Sequence, residues 1–66
     1  MCRSIVRLRD HDEIAEDAEI RAAALQFVRK ISGYRSPSQR NEEAFNRAVD
    51  DIAHTSHHLL EAITQR

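Results

Sequence analysis

The stretch Ser32-Gly33-Tyr34-Arg35-Ser36-Pro37-Ser38 decides the fold, because it is the only place where the sequence directs the backbone to turn. Gly33 is the only glycine and Pro37 the only proline among 66 residues. Glycine readily ends a helix in the left-handed conformation, and proline is favoured in the first turn of a helix. Helix-favouring sequence lies on both sides. The chain is therefore predicted to form a helix, a short basic loop and a second, longer helix.

The first helix is predicted to begin near Asp17, an acceptable N-cap, and to run through Lys30 or Ile31 to Gly33. At 3.6 residues per turn it carries two apolar stripes, so it needs two partners. One partner is the second helix, and the other is either the N-terminal Ile5, Val6 and Leu8 or another subunit. One stripe is Ile20, Ala24, Phe27 and Ile31, and the other is Ala18, Ala22 and Leu25.

The second helix has two candidate starts. Ser36 can cap it with Pro37 at the first helical position, or Ser38 with Asn41 can begin it a few residues later. Apolar residues then recur in steps of four and three, which predicts a heptad seam reaching Thr64 over roughly 40 Å. The seam comprises Phe45, Val49, Ile52, Ser56, Leu59 and Ile63, reinforced by Ala48 and Leu60.

The first helix is about half as long as the second and can cover only half of this seam. Leu59, Leu60 and Ile63 then need the N-terminal segment or a second chain as cover. Burying three such side chains is worth roughly 5–8 kcal/mol, comparable to the stability of a small domain. We therefore expect one all-α domain over residues 1–66: an antiparallel two-helix hairpin with a short N-terminal segment, completed by self-association as a four-helix dimer. Whether the N-terminal segment is a strand, a helical turn or an extended cover stays open.

Composition excludes several classes of protein. A single cysteine, Cys2, permits no intramolecular disulfide, which suits a reducing cytosol. No apolar run approaches the ~20 residues that span a bilayer, and the N-terminus has no signal-peptide core. The net charge of −1 disfavours general binding to nucleic acids or membranes. The prediction is a cytoplasmic protein.

Several blocks of the sequence together resemble a known family. They are Met1-Cys2-Arg3, residues 19–30 (EIRAAALQFVRK), Ser32-Gly33-Tyr34-Arg35, Pro37-Ser38, Asn41, Ala44-Phe45 and Arg47-Ala48-Val49. In this order and spacing they are similar to the small bacterial proteins called domain of unknown function 2277. The resemblance implies a compact helical protein and brings no assigned site residue. Residues 9–16 lack the proline-containing linker usual in that family, so a first helix starting near Asp12 is an alternative.

Three histidines crowd one turn of the second helix. His54 and His58 are spaced i and i+4, which lets two imidazoles reach one metal ion. The helical wheel, however, places His54, His57 and His58 opposite the seam, in water. We therefore predict a solvated face and no metal cofactor, with His54 and His58 as weak candidates for adventitious nickel or zinc binding.

Cys2 is a second candidate site. With the initiator methionine removed, its thiol would lie beside the α-amine, and Arg3 and Arg7 would favour the nucleophilic thiolate. A redox or metal-binding role is one interpretation. The favoured one is a small residue packed under the helices, because free cysteine is often buried.

The loop is the third candidate. Helix N–H groups, hydroxyls and cations could together bind a phosphate or carboxylate there. The residues are Lys30, Arg35, Ser36, Ser38 and Arg40. The simpler interpretation is that Tyr34 packs over the bend while the basic residues satisfy the carbonyls that end the first helix.

The sequence contains no catalytic constellation and no cofactor motif, so the leading hypothesis is non-enzymatic. It describes a small helical interaction module that self-associates and acts through a protein partner or a small anion. One alternative is nucleic-acid binding through the basic loop, which acids on the second helix would oppose. The other is a Cys2-based redox or metal-binding protein.

Overall fold

A computed structural model describes residues 6–10 and 13–64. Within them, strand β1 (Arg9–Asp10) and strand β2 (Glu13–Ile14) precede helix α1 (Asp17–Ser32). A 3-10 turn (Gln39–Asn41) then leads into helix α2 (Glu42–Thr64). The predictions made for Cys2 fall outside the described residues.

Helix α1 has the bounds that its capping residues predict. Glu16 is the N-cap, with extended backbone at φ −70° and ψ 159°, one residue before the predicted Asp17. Because β2 occupies Glu13–Ile14, an earlier start to the helix is wrong. At the other end Gly33 adopts φ 78° and donates its N–H to the Arg29 carbonyl at 2.9 Å. The only glycine therefore stands where the backbone needs a left-handed residue.

The later of the two predicted starts of the second helix is correct. Ser38 is the N-cap of the 3-10 turn, with φ −69° and ψ 161°, and its carbonyl accepts the Asn41 N–H at 3.0 Å. A start at Ser36 and Pro37 is wrong, because extended backbone at Ser38 interrupts any helix begun before it. Two hydrogen bonds hold the loop before Ser38 in this non-helical conformation. Arg29 Nε donates to the Arg35 carbonyl at 2.8 Å, and Asn41 Nδ2 donates to the Tyr34 hydroxyl at 3.4 Å.

The N-terminal segment makes the fold not purely helical. β1 and β2 pair antiparallel, with Arg9 opposite Ile14 and Asp10 opposite Glu13. The Ala15 N–H extends the ladder by donating to the Leu8 carbonyl at 2.7 Å. The N-terminal segment thus forms its strand hydrogen bonds within itself, between residues that all precede α1.

The core is small and lies between the two antiparallel helices. Its buried side chains are Ile20, Ala24 and Val28 from α1 with Phe45 and Val49 from α2. Leu25, Ala48, Ile52 and Ala53 pack against its edge.

The predicted stripe Ile20, Ala24, Phe27 and Ile31 of α1 is only partly buried. Phe27 and Ile31 are 49% and 62% exposed, and Val28 is buried in their place. Residues spaced by four follow the groove of a neighbouring helix, so Val28 continues the Ile20–Ala24 row while Phe27 falls to one side. In the other stripe, Leu25 is half-buried while Ala18 and Ala22 are exposed.

The heptad seam of α2 is covered in its first half and open in its second. Leu60 is half-buried and borders a cavity shared with Leu8 of the N-terminal segment. Leu59 and Ile63 remain 57% and 50% exposed. Ser56 is tolerated within the seam because its hydroxyl donates to the Ile52 carbonyl at 2.6 Å.

Candidate functional site

One side of the hairpin is apolar and open. Arg21 and Asp50 form an ion pair that marks the opposite side. By helical geometry Phe27 lies about 120° around α1 from Arg21, with the core between them, and Leu59 lies about 180° around α2 from Asp50. Both point away from the ion pair. We call this surface the apolar face and define it as Phe27, Ile52, Leu59 and Ile63.

Among the residues that the structure describes, no further element covers the apolar face. The molecule is elongated and flat, with extents of 44 × 26 × 15 Å. Its accessible surface is 5884 Å², whereas a compact protein of 7.6 kDa would expose about 4,300 Å². Stable domains bury their helices between two layers. The hairpin supplies one.

The opposite side carries charged groups and two histidines. A cavity of about 290 Å³ there is lined by Asp17, Ile20, Arg21, Asp50, Ala53, His54 and His57. His57 Nε2 lies 3.1 Å from Glu61 Oε2, and its Nδ1 lies 3.4 Å from Asp17 Oδ1. Its side chain is only 37% exposed. The prediction that all three histidines face water is therefore wrong for His57, which fills the border between α1 and α2.

His54 and His58 form a separate pair on the outer surface of α2. Their Nε2 atoms lie 3.2 Å apart, and the rings meet edge to face at a centroid distance of 4.5 Å. Both residues are exposed. Among the residues that the structure describes, no group of three or more histidine, cysteine or acidic side chains is placed to hold a metal ion.

The loop brings together only part of the predicted anion site. A cavity of about 350 Å³ lies at the end of α1, and Arg35 is its one lining residue from the predicted set. Its other lining residues are Arg29, Gly33 and Tyr34. Lys30, Ser36, Ser38 and Arg40 do not line it, and Ser38 makes no side-chain cap bond. Anion binding stays a prediction, with Arg29 as a basic residue that the sequence did not single out.

The predicted self-association residues divide into two groups. Leu59 and Ile63 lie on the apolar face, whereas Leu60 turns towards the N-terminal segment. Sequence reasoning missed Phe27 as a member of the apolar face, because its spacing from Ile20 placed it in the core. Cys2, the predicted redox residue, lies outside the described residues.

Comparison with known proteins assigns the family. A family model described as an uncharacterized conserved protein, DUF2277, matches residues 1–66. The chain belongs to this family. The predicted resemblance is thereby confirmed, although the family description carries no activity. Neither the curated proteins nor the solved structures contain a match.

Within the described ranges of this DUF2277 chain, neither α1 nor α2 combines the length and the hydropathy that crossing a bilayer requires.

Proposed function

We propose that this protein is a self-associating helical module with a non-enzymatic role, acting as a homodimer in which two hairpins pack through their apolar faces. The observation that carries the proposal is the open face on a single-layer molecule. Phe27, Leu59 and Ile63 are each about half exposed along one side of it. Large apolar side chains aligned on one surface are typical of an interaction site.

The surface area supports an interface of ordinary size. The chain exposes about 1,600 Å² more than a compact protein of its mass. A standard interface buries about 800 Å² on each partner. One dimer contact would therefore remove a large part of this excess and give each hairpin its second layer.

A second copy fits this face better than an unrelated chain, because the face is self-complementary. Ile52 lies near its middle, Phe27 near one end and Leu59 near the other. A two-fold axis close to Ile52 brings Phe27 of each copy against Leu59 of the other, since isologous contacts exchange residues in this way. The result is a four-helix arrangement with apolar groups matched at both ends.

The first test is the solution mass of the untagged protein across a concentration series, by light scattering. We expect a dimer for the natural sequence and a monomer for Leu59→Glu, Ile63→Glu. Arg47→Glu is the matched control, because it also changes the net charge by −2 but replaces an exposed residue on the outer surface of α2. It should remain a dimer.

A monomer at every concentration would refute the proposal. It would instead favour cover of the apolar face by the chain's own N-terminal residues, and removal of residues 1–5 should then expose the face and cause association. Partners of other kinds, including a different protein, would be sought only after that result.

A further inference from the structure

We propose that His54 and His58 form a chelating site for a transition-metal ion that prefers imidazole, with Zn²⁺ as the probe. The inference is independent of the proposed dimer, because these residues lie on the outer surface of α2, away from the apolar face. It rests on the geometry of two ring nitrogens and on what surrounds them.

The two Nε2 atoms are spaced as metal ligands are. At 3.2 Å they are separated by almost the distance that two nitrogens keep on one tetrahedral zinc ion, about 3.3 Å for bonds of 2.0–2.1 Å. The i, i+4 spacing on a regular stretch of α2 holds both imidazoles on one face without moving the backbone. Solvent can supply the remaining ligands because both rings are exposed.

The neighbouring side chains leave this pair available, while the third histidine contacts Glu61 and its Nδ1 is buried without a hydrogen-bond partner among the described residues. Both ring nitrogens of His57 face carboxylates, Glu61 at 3.1 Å and Asp17 at 3.4 Å. Asp50, one turn before His54, is held by Arg21. The site is therefore a two-histidine chelate with open positions, and its nitrogen donors favour zinc, nickel or copper over magnesium or calcium.

Metal binding should stabilise the helix. The two nitrogens are preorganised only when this turn of α2 is folded, so an ion that bridges them binds the native state in preference to the unfolded chain. Without metal, the same geometry is a single hydrogen bond between the two rings, which needs one of them to donate. The response to added metal therefore distinguishes a chelating site from a simple hydrogen bond between the two rings.

The test uses untagged full-length protein, stripped with a chelator, in thermal melts with excess Zn²⁺ and with Mg²⁺. We expect Zn²⁺ to raise the midpoint by at least about 4 °C and Mg²⁺ to leave it unchanged. His54→Ala and His58→Ala should each abolish the rise. His57→Gln, on the same turn, is the matched control and should retain it.

Histidine ring signals in NMR spectra of the unaltered protein give a readout that needs no variant. Zn²⁺ should shift the signals of His54 and His58 and leave those of His57 in place. The proposal is overturned if Zn²⁺ gives no rise, if either single alanine variant keeps the rise, or if His57→Gln also loses it. A rise that survives in the alanine variants would mean that the ion binds elsewhere, at Cys2 or His11.

Discussion

His57 of α2 lies between Asp17, in the first turn of α1, and Glu61, one turn further along its own helix. Nδ1 is 3.4 Å from the Asp17 carboxylate and Nε2 is 3.1 Å from that of Glu61. The ring is partly buried at the border between the first turn of α1 and the last turns of α2, close to the buried Ile20. Within the part of the chain that the structure describes, its Nδ1 makes no hydrogen bond, so Glu61 is its nearer polar partner.

Replacing His57 should therefore loosen that end of the hairpin. We expect His57→Ala to lower the free energy of unfolding by up to about 1 kcal/mol, because its partly buried ring packs at the border of the two helices and contacts Glu61. His54→Ala, measured without metal, should change it by less, because that ring is exposed and its hydrogen-bond contact is to another exposed histidine. Urea titrations of both variants at one protein concentration check this. Equal losses would mean that His57 contributes no link between the helices.

Because the core is small, we expect substitution of Phe45 to lower the free energy of unfolding strongly. Among the described residues five hydrophobic side chains are buried, and the loss of this ring removes the largest of them. Phe45→Ala should cost about 3–5 kcal/mol, which approaches the entire stability of a domain at the lower end of the normal range. We expect far-ultraviolet circular dichroism to show a largely unfolded chain. Phe45→Leu, which keeps most of the volume, should stay helical; unfolding of both would point to a specific need for the ring.

Gly33 offers a test of backbone conformation without side-chain contacts. A Cβ built on it meets no atom within 4 Å, so any cost of substitution arises from its φ of 78°. Gly33→Ala should destabilise the protein by roughly 1 kcal/mol, because alanine is strained in the left-handed region. Gly33→Asn should cost less, since asparagine tolerates that region. Denaturant unfolding measures the order, and a lower stability for the asparagine variant would contradict it.

The same residue explains why the hairpin could be predicted from sequence. A left-handed C-cap and an extended N-cap are local requirements, and Gly33 and Ser38 meet them without help from the rest of the chain. The bounds of α1 follow from that. The same local rules left Ser36 and Ser38 as alternative starts of the second helix, and the extended backbone at Ser38 in the structure decides for the later one.

The candidate sites were less predictable because they depend on how the helices rotate against each other. A heptad seam centred between Val49 and Ile52 places His57 in water. In the structure α1 contacts α2 on the Val49 side of the seam and not at its centre. This amounts to a small rotation of α2 about its own axis, and it brings His57 to the border between the two helices. The same choice of groove buries Val28 and leaves Phe27 on the surface. A helical wheel drawn for one helix cannot show on which side of the apolar stripe the other helix packs.

A two-fold dimer through the apolar face predicts that two disrupted variants can repair each other. In such a dimer Phe27 of one copy meets Leu59 of the other, so Phe27→Lys and Leu59→Glu should each yield monomers when purified alone. In a mixture, one half of the interface would pair the new lysine with the new glutamate, and the other half would keep the natural Phe27–Leu59 contact.

We therefore expect the mixture to form dimers that contain one copy of each variant, detected by native mass spectrometry because the two chains differ in mass. Mixing Phe27→Lys with Arg47→Glu provides the control: it supplies a glutamate of the same charge away from the apolar face, and mixed dimers should be absent or rare. Mixed dimers in both mixtures would indicate general charge attraction. Their absence from both, with a dimeric natural protein, would mean that the two copies pack in a different register, because only the antiparallel arrangement about Ile52 places position 27 against position 59.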